Sequence, residues 1–167
     1  MKEQIDDYSN SSFGFVKKLA RNLVKKSKIK NPPINLRDIF KSADNGIEVR
    51  GTNLGSGDGF SIGSSLINYN STSPIVRQRF TVAHELGHIL LGHNSRAKII
   101  DFYSKDINEQ QANVFASELL VPLQMLKKFC SASESLTSLS NKFWVSKDMM
   151  GWRLRSTRLG FKIGSWQ

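Results

Sequence analysis

The segment Phe80–His93, FTVAHELGHILLGH, constrains this chain more than any other, because it holds all three histidines in one helical pattern. Residues four apart lie on the same face of an α-helix, so His84 and His88 can offer two imidazole nitrogens to one metal ion. Glu85 lies about 100° further round the helix, where its carboxylate can take a proton from a bound water. The pattern therefore predicts a helix that carries two metal ligands and a general base.

The rest of this segment predicts where the helix packs and where it ends. Its apolar residues cluster opposite the two histidines, which indicates one face in the core and one face at a site; the alternative is two polar residues on an exposed face. Gly92 is expected to end the helix in the left-handed conformation. His93 would face away from His84 if the helix continued, so we interpret it as a helix-end residue and not as a ligand.

A third ligand has to come from elsewhere, and a second helix predicted over residues 106–120 supplies the best candidate. Glu109 shares a face of that helix with the small residues Ala112 and Ala116, which would allow close approach to a neighbouring helix. Two histidines and one glutamate leave a fourth position for water, which is typical of catalytic zinc sites. Manganese or iron could occupy the same set of donors.

Two further interpretations concern this second helix. Glu109 also fits a capping box with Asp106, in which the glutamate would bond the backbone at the helix start. Asn113, one turn beyond Glu109, is expected to accept a hydrogen bond from the outer nitrogen of a ligating histidine, and the alternative for it is simple packing.

Charge and composition limit the class of protein without choosing a function. A formal net charge of +10, concentrated in residues 17–30 and 142–162, would attract anionic partners such as nucleic acid or an acidic protein surface. Cys130 is the one cysteine, which argues against a disulfide framework or a cysteine-rich zinc site. The sequence shows no signal-peptide pattern and no apolar run long enough to span a membrane, so we expect a cytoplasmic protein.

Elsewhere the pattern predicts a small mixed domain. Residues 1–10 are expected to be a polar lead-in, residues 12–28 and 36–42 helices, and residues 94–105 a connector with a brief ordered piece at 99–103. Three short strands are expected to form an antiparallel sheet, with the glycine-rich residues 51–59 as hairpin turns and not a phosphate cradle; the strands are residues 47–50, 59–62 and 65–69. The last strand is the one along which we expect an extended substrate to add.

The C-terminal part predicts two short helices that resemble a helix-turn-helix, one containing Leu136 and Phe143 and the other spanning residues 147–159 with Ser146 as its N-cap. The second helix carries three arginines that could contact DNA phosphates, although its apolar residues fit packing on the main domain equally well; the arginines are Arg153, Arg155 and Arg158. We therefore divide the chain into a domain of residues 1–130 and a helical appendage of residues 131–167 packed on it.

Several runs of residues resemble the ImmA/IrrE family of metallopeptidases over roughly residues 13–160. They are RQRFTVAHELGH at 77–88, EQQANVFASELLVP at 109–122, PPINL at 32–36 and LINYN at 66–70. The resemblance implies a zincin-like α+β fold, with His84, His88 and Glu109 as zinc ligands and Glu85 as the base. It also implies a cytosolic protein that acts on helix-turn-helix transcriptional repressors.

We therefore expect an α+β metallopeptidase domain that hydrolyses a peptide bond in a partner protein. One alternative is a metal-binding regulatory or toxin-like partner protein that cleaves nothing, and another is a DNA-binding regulator that uses the basic C-terminal helices. A second donor should stabilise the oxyanion of the transition state. The sequence does not rank the candidates for that donor, which are Tyr69, Arg77, Arg79, His93 and Tyr103.

Overall fold

The computed structural model describes residues 13–43, 46–93, 100–101 and 103–167. Within these ranges the chain has the expected α+β composition, with seven helices and a three-stranded sheet. The predicted lead-in and most of the predicted connector lie outside the described residues. The elements, in chain order, are α1 (Phe13–Lys26), α2 (Leu36–Ala43), β1 (Glu48–Thr52), β2 (Gly59–Ile62), β3 (Leu66–Asn70), α3 (Ile75–Leu91), α4 (Ile107–Leu120), α5 (Leu123–Phe129), α6 (Leu136–Phe143), α7 (Lys147–Ser156) and a 3-10 helix (Gly160–Lys162).

The sheet is mixed, so the prediction of an antiparallel sheet was wrong. Its strand order is β1-β3-β2, with β1 parallel and β2 antiparallel to β3. The prediction that residues 51–59 form hairpin turns was also wrong, because this segment joins two outer strands that do not pair with each other. Strand β3 lies between β1 and β2, and the hairpin of this sheet is formed by β2 and β3. Because β3 is paired on both sides, an added peptide strand cannot pair with it, and the outer strands of this sheet are β1 and β2.

The loop that joins the two outer strands, β1 and β2, is held by Asn70. Its side chain is buried and its amide nitrogen donates to the carbonyl oxygens of Gly55 and Gly57, at 3.0 and 2.9 Å. Its amide oxygen accepts from the Thr72 amide at 3.1 Å. The glycine-rich loop is thus fixed to the end of β3 by hydrogen bonds from one buried side chain.

Helices α3 and α4 pack against each other at the centre of the domain. Ala112 and Ala116 are completely buried on α4, as expected for residues that allow a close helix pair. On α3 the matching small residue is Gly87, where an added Cβ would lie 3.0 Å from Cδ1 of Phe115. The absence of a side chain at Gly87 therefore permits the approach of α4 to α3.

Replacing Gly87 with Ala tests whether this close approach matters. Alanine normally stabilises a helix interior by about 0.5–1 kcal/mol relative to glycine. We expect Gly151→Ala in α7 to show that gain, because its Cβ would meet its nearest neighbour, the end of Arg155, at 3.5 Å. Crowding against Phe115 should make Gly87→Ala less stable than Gly151→Ala by about 1–3 kcal/mol in urea denaturation. Equal stabilisation by both substitutions would show that the helices can separate freely.

The C-terminal helices differ from expectation in two respects. Pro122 precedes α5, a helix absent from the prediction. Helix α7 ends at Ser156 and not at 159, and a 3-10 turn follows. Residues of α6 and α7 belong to the same buried cluster as α1, α3 and α4, including Leu139, Met150 and Leu154. In the described part of the chain, no helix has the length and apolar character needed to cross a membrane.

A buried ion cluster joins α1, α4 and α7. The Glu118 carboxylate on α4 accepts hydrogen bonds from the guanidinium groups of Arg153 on α7 and Arg21 on α1, the latter at 2.9 Å. Arg153 is 2% exposed and paired with Glu118, so its guanidinium is not available for the DNA phosphate contact that was left open for it. The charge of Arg153 is neutralised by Glu118 inside the domain, while Arg155 and Arg158 are exposed.

Candidate metal centre

Helix α3 carries His84, Glu85 and His88 into the interior of the domain. Every residue of α3 from Arg79 to His88 is buried, because α4 packs along the face that carries the histidines. Gly92 follows the helix with a φ of 71°, and its amide bonds the carbonyl oxygen of His88. The predicted left-handed helix end is confirmed.

Helix α4 begins with a capped turn that leaves Glu109 available. Asp106 is the N-cap, and its carboxylate accepts from the amides of Asn108 at 2.8 Å and Glu109 at 3.4 Å. The Glu109 carboxylate lies instead beside the two histidines of α3. The capping function therefore belongs to Asp106, and the Glu109 side chain faces the site.

The three candidate ligands converge with the spacing of a single coordination sphere. The Nε2 atoms of His84 and His88 lie 3.0 Å apart, and they lie 3.3 and 3.2 Å from the two carboxylate oxygens of Glu109. An ion bound tetrahedrally at about 2.0–2.1 Å would hold its ligand atoms about 3.3 Å from one another. The donors present therefore fit one divalent ion, with two imidazoles and one carboxylate facing its position.

Asn113 makes the contact that was predicted for it. The Nδ1 atom of His84 lies 3.0 Å from Oδ1 of Asn113, and the Asn113 amide nitrogen donates to the Asp101 carbonyl at 2.8 Å. The second bond fixes the orientation of the amide, so that its oxygen faces the histidine. A proton on Nδ1 leaves Nε2 of His84 unprotonated and available as a ligand.

Replacing Asn113 with Leu should weaken zinc binding about tenfold or more, because the outer nitrogen of His84 would lose its acceptor. Competition with a chromogenic chelator measures this affinity directly. Val114→Ala serves as the matched control, since Val114 is the next residue along α4 and is half-buried. An unchanged zinc affinity in Asn113→Leu would remove this residue from any supporting role.

A second layer holds the backbone that Asn113 contacts. Arg77 donates to both carboxylate oxygens of Asp58 and to the Ile100 carbonyl, while the Ile100 amide donates to Asp58 at 2.8 Å. Burial would raise the pKa of Asp58, but Arg77 and the Ile100 amide together lower it below its ordinary value. A charged carboxylate therefore anchors residues 100–101 beside Asn113.

His93 makes a contact with the candidate ligand His88 that the sequence analysis did not predict. Its Nδ1 atom lies 3.2 Å from Nδ1 of His88, and its backbone amide donates to the His88 carbonyl at 2.9 Å. The prediction ended the helix at Gly92 but judged the direction of His93 by helical periodicity, whereas the left-handed turn returns the chain to the last helical turn. Burial and the neighbouring His88 lower the pKa of His93. A glycine at a helix end followed by histidine was the signal available in the sequence.

The other candidates for an oxyanion donor lie in varied environments. Arg77 is paired with Asp58, and Arg79 is buried, with its guanidinium donating to the carbonyl oxygens of Ile34 and Trp144 at 2.8 and 3.1 Å. The Tyr69 ring packs on Gly51 across the sheet, and Tyr103 is exposed.

Comparison with known proteins agrees with this architecture. The family model described as the IrrE N-terminal-like domain matches residues 43–155, which is more than half of the chain. The radiation response metalloprotease IrrE of Deinococcus radiodurans is 35% identical over 112 residues, covering 60% of this chain and 34% of that protein. The chain thus spans about a third of the length of this relative. Together with the matched residues of α3 and α4, these similarities establish that the chain belongs to the ImmA/IrrE family.

Proposed function

We propose that this protein is a metal-dependent endopeptidase that hydrolyses a peptide bond in a partner protein. The observation that carries the proposal is the convergence of His84, His88 and Glu109, with ligand atoms within 4.8 Å of one another. A structural site would normally close with four protein ligands. Among the described residues, these three are the ones grouped with metal-binding spacing, which leaves a coordination position for a reactant.

Zinc is the ion we propose, because two imidazoles and one carboxylate form a common catalytic zinc set, although manganese and iron accept the same donors. When bound, the ion would lower the pKa of a coordinated water to about 7 and polarise the scissile carbonyl. His84 and His88 would hold it through Nε2, as their outer nitrogens are already bonded elsewhere.

Glu85 is the residue we propose as general base. It lies next to His84 on α3 and is 3% exposed, so its carboxylate works in a site from which bulk water is largely excluded. It takes the proton that the attacking water loses and then passes this proton to the nitrogen of the leaving amine. Helix α3 packs between α4 and the sheet, so its backbone holds Glu85 and the two histidines in fixed relative positions.

The substrate class we propose is a helix-turn-helix transcriptional repressor, which the family resemblance supports. A cytoplasmic setting is consistent with that substrate and with the free thiol of Cys130. Direct DNA contact, for which Arg155 and Arg158 are the exposed arginines of the C-terminal helices, is the alternative that we do not favour.

Removing the metal tests the proposed activity. The zinc-loaded protein should cut a helix-turn-helix repressor from the same organism into two fragments on a gel, with one site identified by mass spectrometry; a repressor gene adjacent to its own would supply the first substrate to test. Dialysis against a chelator should abolish cleavage, and one equivalent of zinc should restore it. Cleavage that persists in protein shown to be free of metal would refute a metal-dependent mechanism, and an intact repressor in all three samples would refute this substrate.

A further inference from the structure

We propose that His93 is a positioning residue for His88, which accepts the Nδ1–H of that ring and so presents its Nε2 atom to the metal ion. This inference rests on the metal binding contained in the proposed function. It assigns a role to the one histidine of the chain that the proposed mechanism leaves unused.

The geometry distinguishes a support from a fourth ligand. Nε2 of His88 points at Glu109, 3.2 Å away, whereas the contact with His93 is made at Nδ1 on the other edge of the same ring. The two rings meet edge to face, with centroids 5.3 Å apart and planes inclined at 69°. His93 therefore lies behind His88 as seen from the ion position, where it can orient the ring but not coordinate the ion.

The backbone ties His93 to the same residue that its side chain supports. Helix α3 ends at Leu91, Gly92 adopts the left-handed conformation, and the His93 amide then donates to the carbonyl oxygen of His88. One turn of backbone and one side-chain contact thus both converge on His88. The segment Gly92-His93 closes the helix and holds the ligand in one arrangement.

The proton positions along this contact follow from the chemistry of neutral imidazole, which carries one N–H. A ligand that coordinates through Nε2 has its proton on Nδ1, so His88 donates and His93 accepts. The proton of His93 is then on Nε2, and His93 forms a hydrogen bond with Gln111, a buried side chain of α4. With its proton on Nε2, His93 is the donor of that bond and the amide oxygen of Gln111 is the acceptor.

Helix α4 therefore supports both histidine ligands from behind. Asn113 contacts His84 directly, and Gln111 reaches His88 through His93. Glu109 on the same helix faces the ion position. The two supports differ in kind, because an amide oxygen accepts from His84 and an imidazole nitrogen accepts from His88.

Zinc affinity and the spectrum of the cobalt-substituted protein together test the inference. We expect His93→Phe, which keeps a ring of similar size but has no acceptor, to weaken zinc binding about 10–100-fold. His93→Gln, which can place a carbonyl oxygen near His88, should recover most of that loss. The d–d absorption bands of the cobalt form should keep their positions in both variants, because no ligand is removed.

Several results would overturn the inference. Wild-type zinc affinity in His93→Phe would show that His88 needs no support, and shifted cobalt bands would make His93 a ligand. Equal losses of zinc affinity in both variants, in parallel with a lowered unfolding temperature of the metal-free protein, would reduce His93 to a structural residue. A wild-type protein that takes up no zinc would refute the proposed function as well, and so would a ligating His93, because it would fill the open coordination position. The other two results leave the proposed function intact.

Discussion

Replacing Glu85 with Gln is expected to lower the rate of repressor cleavage about 100–10,000-fold, because the variant keeps the shape of the side chain but cannot accept a proton. Zinc affinity should change little, since the ligands His84, His88 and Glu109 are untouched. Cleavage is followed by gel densitometry under single-turnover conditions, and zinc by chelator competition. Glu48→Gln is the matched control, because Glu48 is an exposed glutamate of β1 paired with Arg50, and it should cleave at the wild-type rate.

The same variant separates the peptidase from the two alternative functions. A metal-binding regulatory protein that cleaves nothing would keep its biological activity in Glu85→Gln, because it has no use for a base. A DNA-binding regulator would likewise be unaffected. Full activity of this variant with zinc retained would therefore reject the hydrolase, whereas loss of cleavage with zinc retained would reject both alternatives.

Replacing Glu118 with Gln is expected to destabilise the folded domain by about 3–5 kcal/mol, because it leaves the buried Arg153 guanidinium without its counter-charge. Glu118 also accepts from the backbone amide of Leu123 at 3.0 Å, so its loss affects the start of α5 as well. Arg21→Ala is the matched control: its side chain is 44% exposed and its removal leaves the pair with Arg153, so we expect about 1 kcal/mol or less. Urea denaturation measures both values.

The pH dependence of stability gives this ion cluster a second signature. Burial would raise the pKa of Glu118, but Arg21, Arg153 and the Leu123 amide together lower it below its ordinary value. A depressed carboxyl pKa contributes stability above the unfolded pKa of about 4.3 and loses it as the pH falls through the folded value. Wild-type stability should therefore fall in acid, and Glu118→Gln should lack that part of the decline. Equal stability of the two proteins at neutral pH would contradict the assignment.

The sequence predicted the candidate ligands because their relationships are local. The four-residue spacing of His84 and His88 fixes their common face, and one helical turn separates Glu109 from Asn113 in the same way. The expectation that small residues of α4 allow it to approach α3 is confirmed at Ala112, which is completely buried. The matching residue on α3, Gly87, was not predicted, because its role depends on the position of Phe115 across the helix pair.

The features that the sequence did not predict depend on turns that reverse the chain or on contacts between residues that are far apart in the sequence. His93 reaches His88 because Gly92 turns the backbone, and helical periodicity does not apply beyond that turn. The insertion of β3 between the outer strands pairs residues that are distant in the sequence, and Asn70 at the end of β3 bonds the loop that joins those strands. Arg153 lies within a basic run and points inward because Glu118, on another helix, requires a counter-charge.

X-ray absorption at the zinc edge of the purified protein, together with its zinc content, tests the central claim most directly. We predict one zinc per chain, with two imidazole nitrogens at about 2.0–2.1 Å, oxygen ligands at about 2.0–2.2 Å from Glu109 and water, and no sulfur. A third imidazole in the coordination sphere, or protein that binds no stoichiometric zinc, would contradict a site made by His84, His88 and Glu109 with one position open.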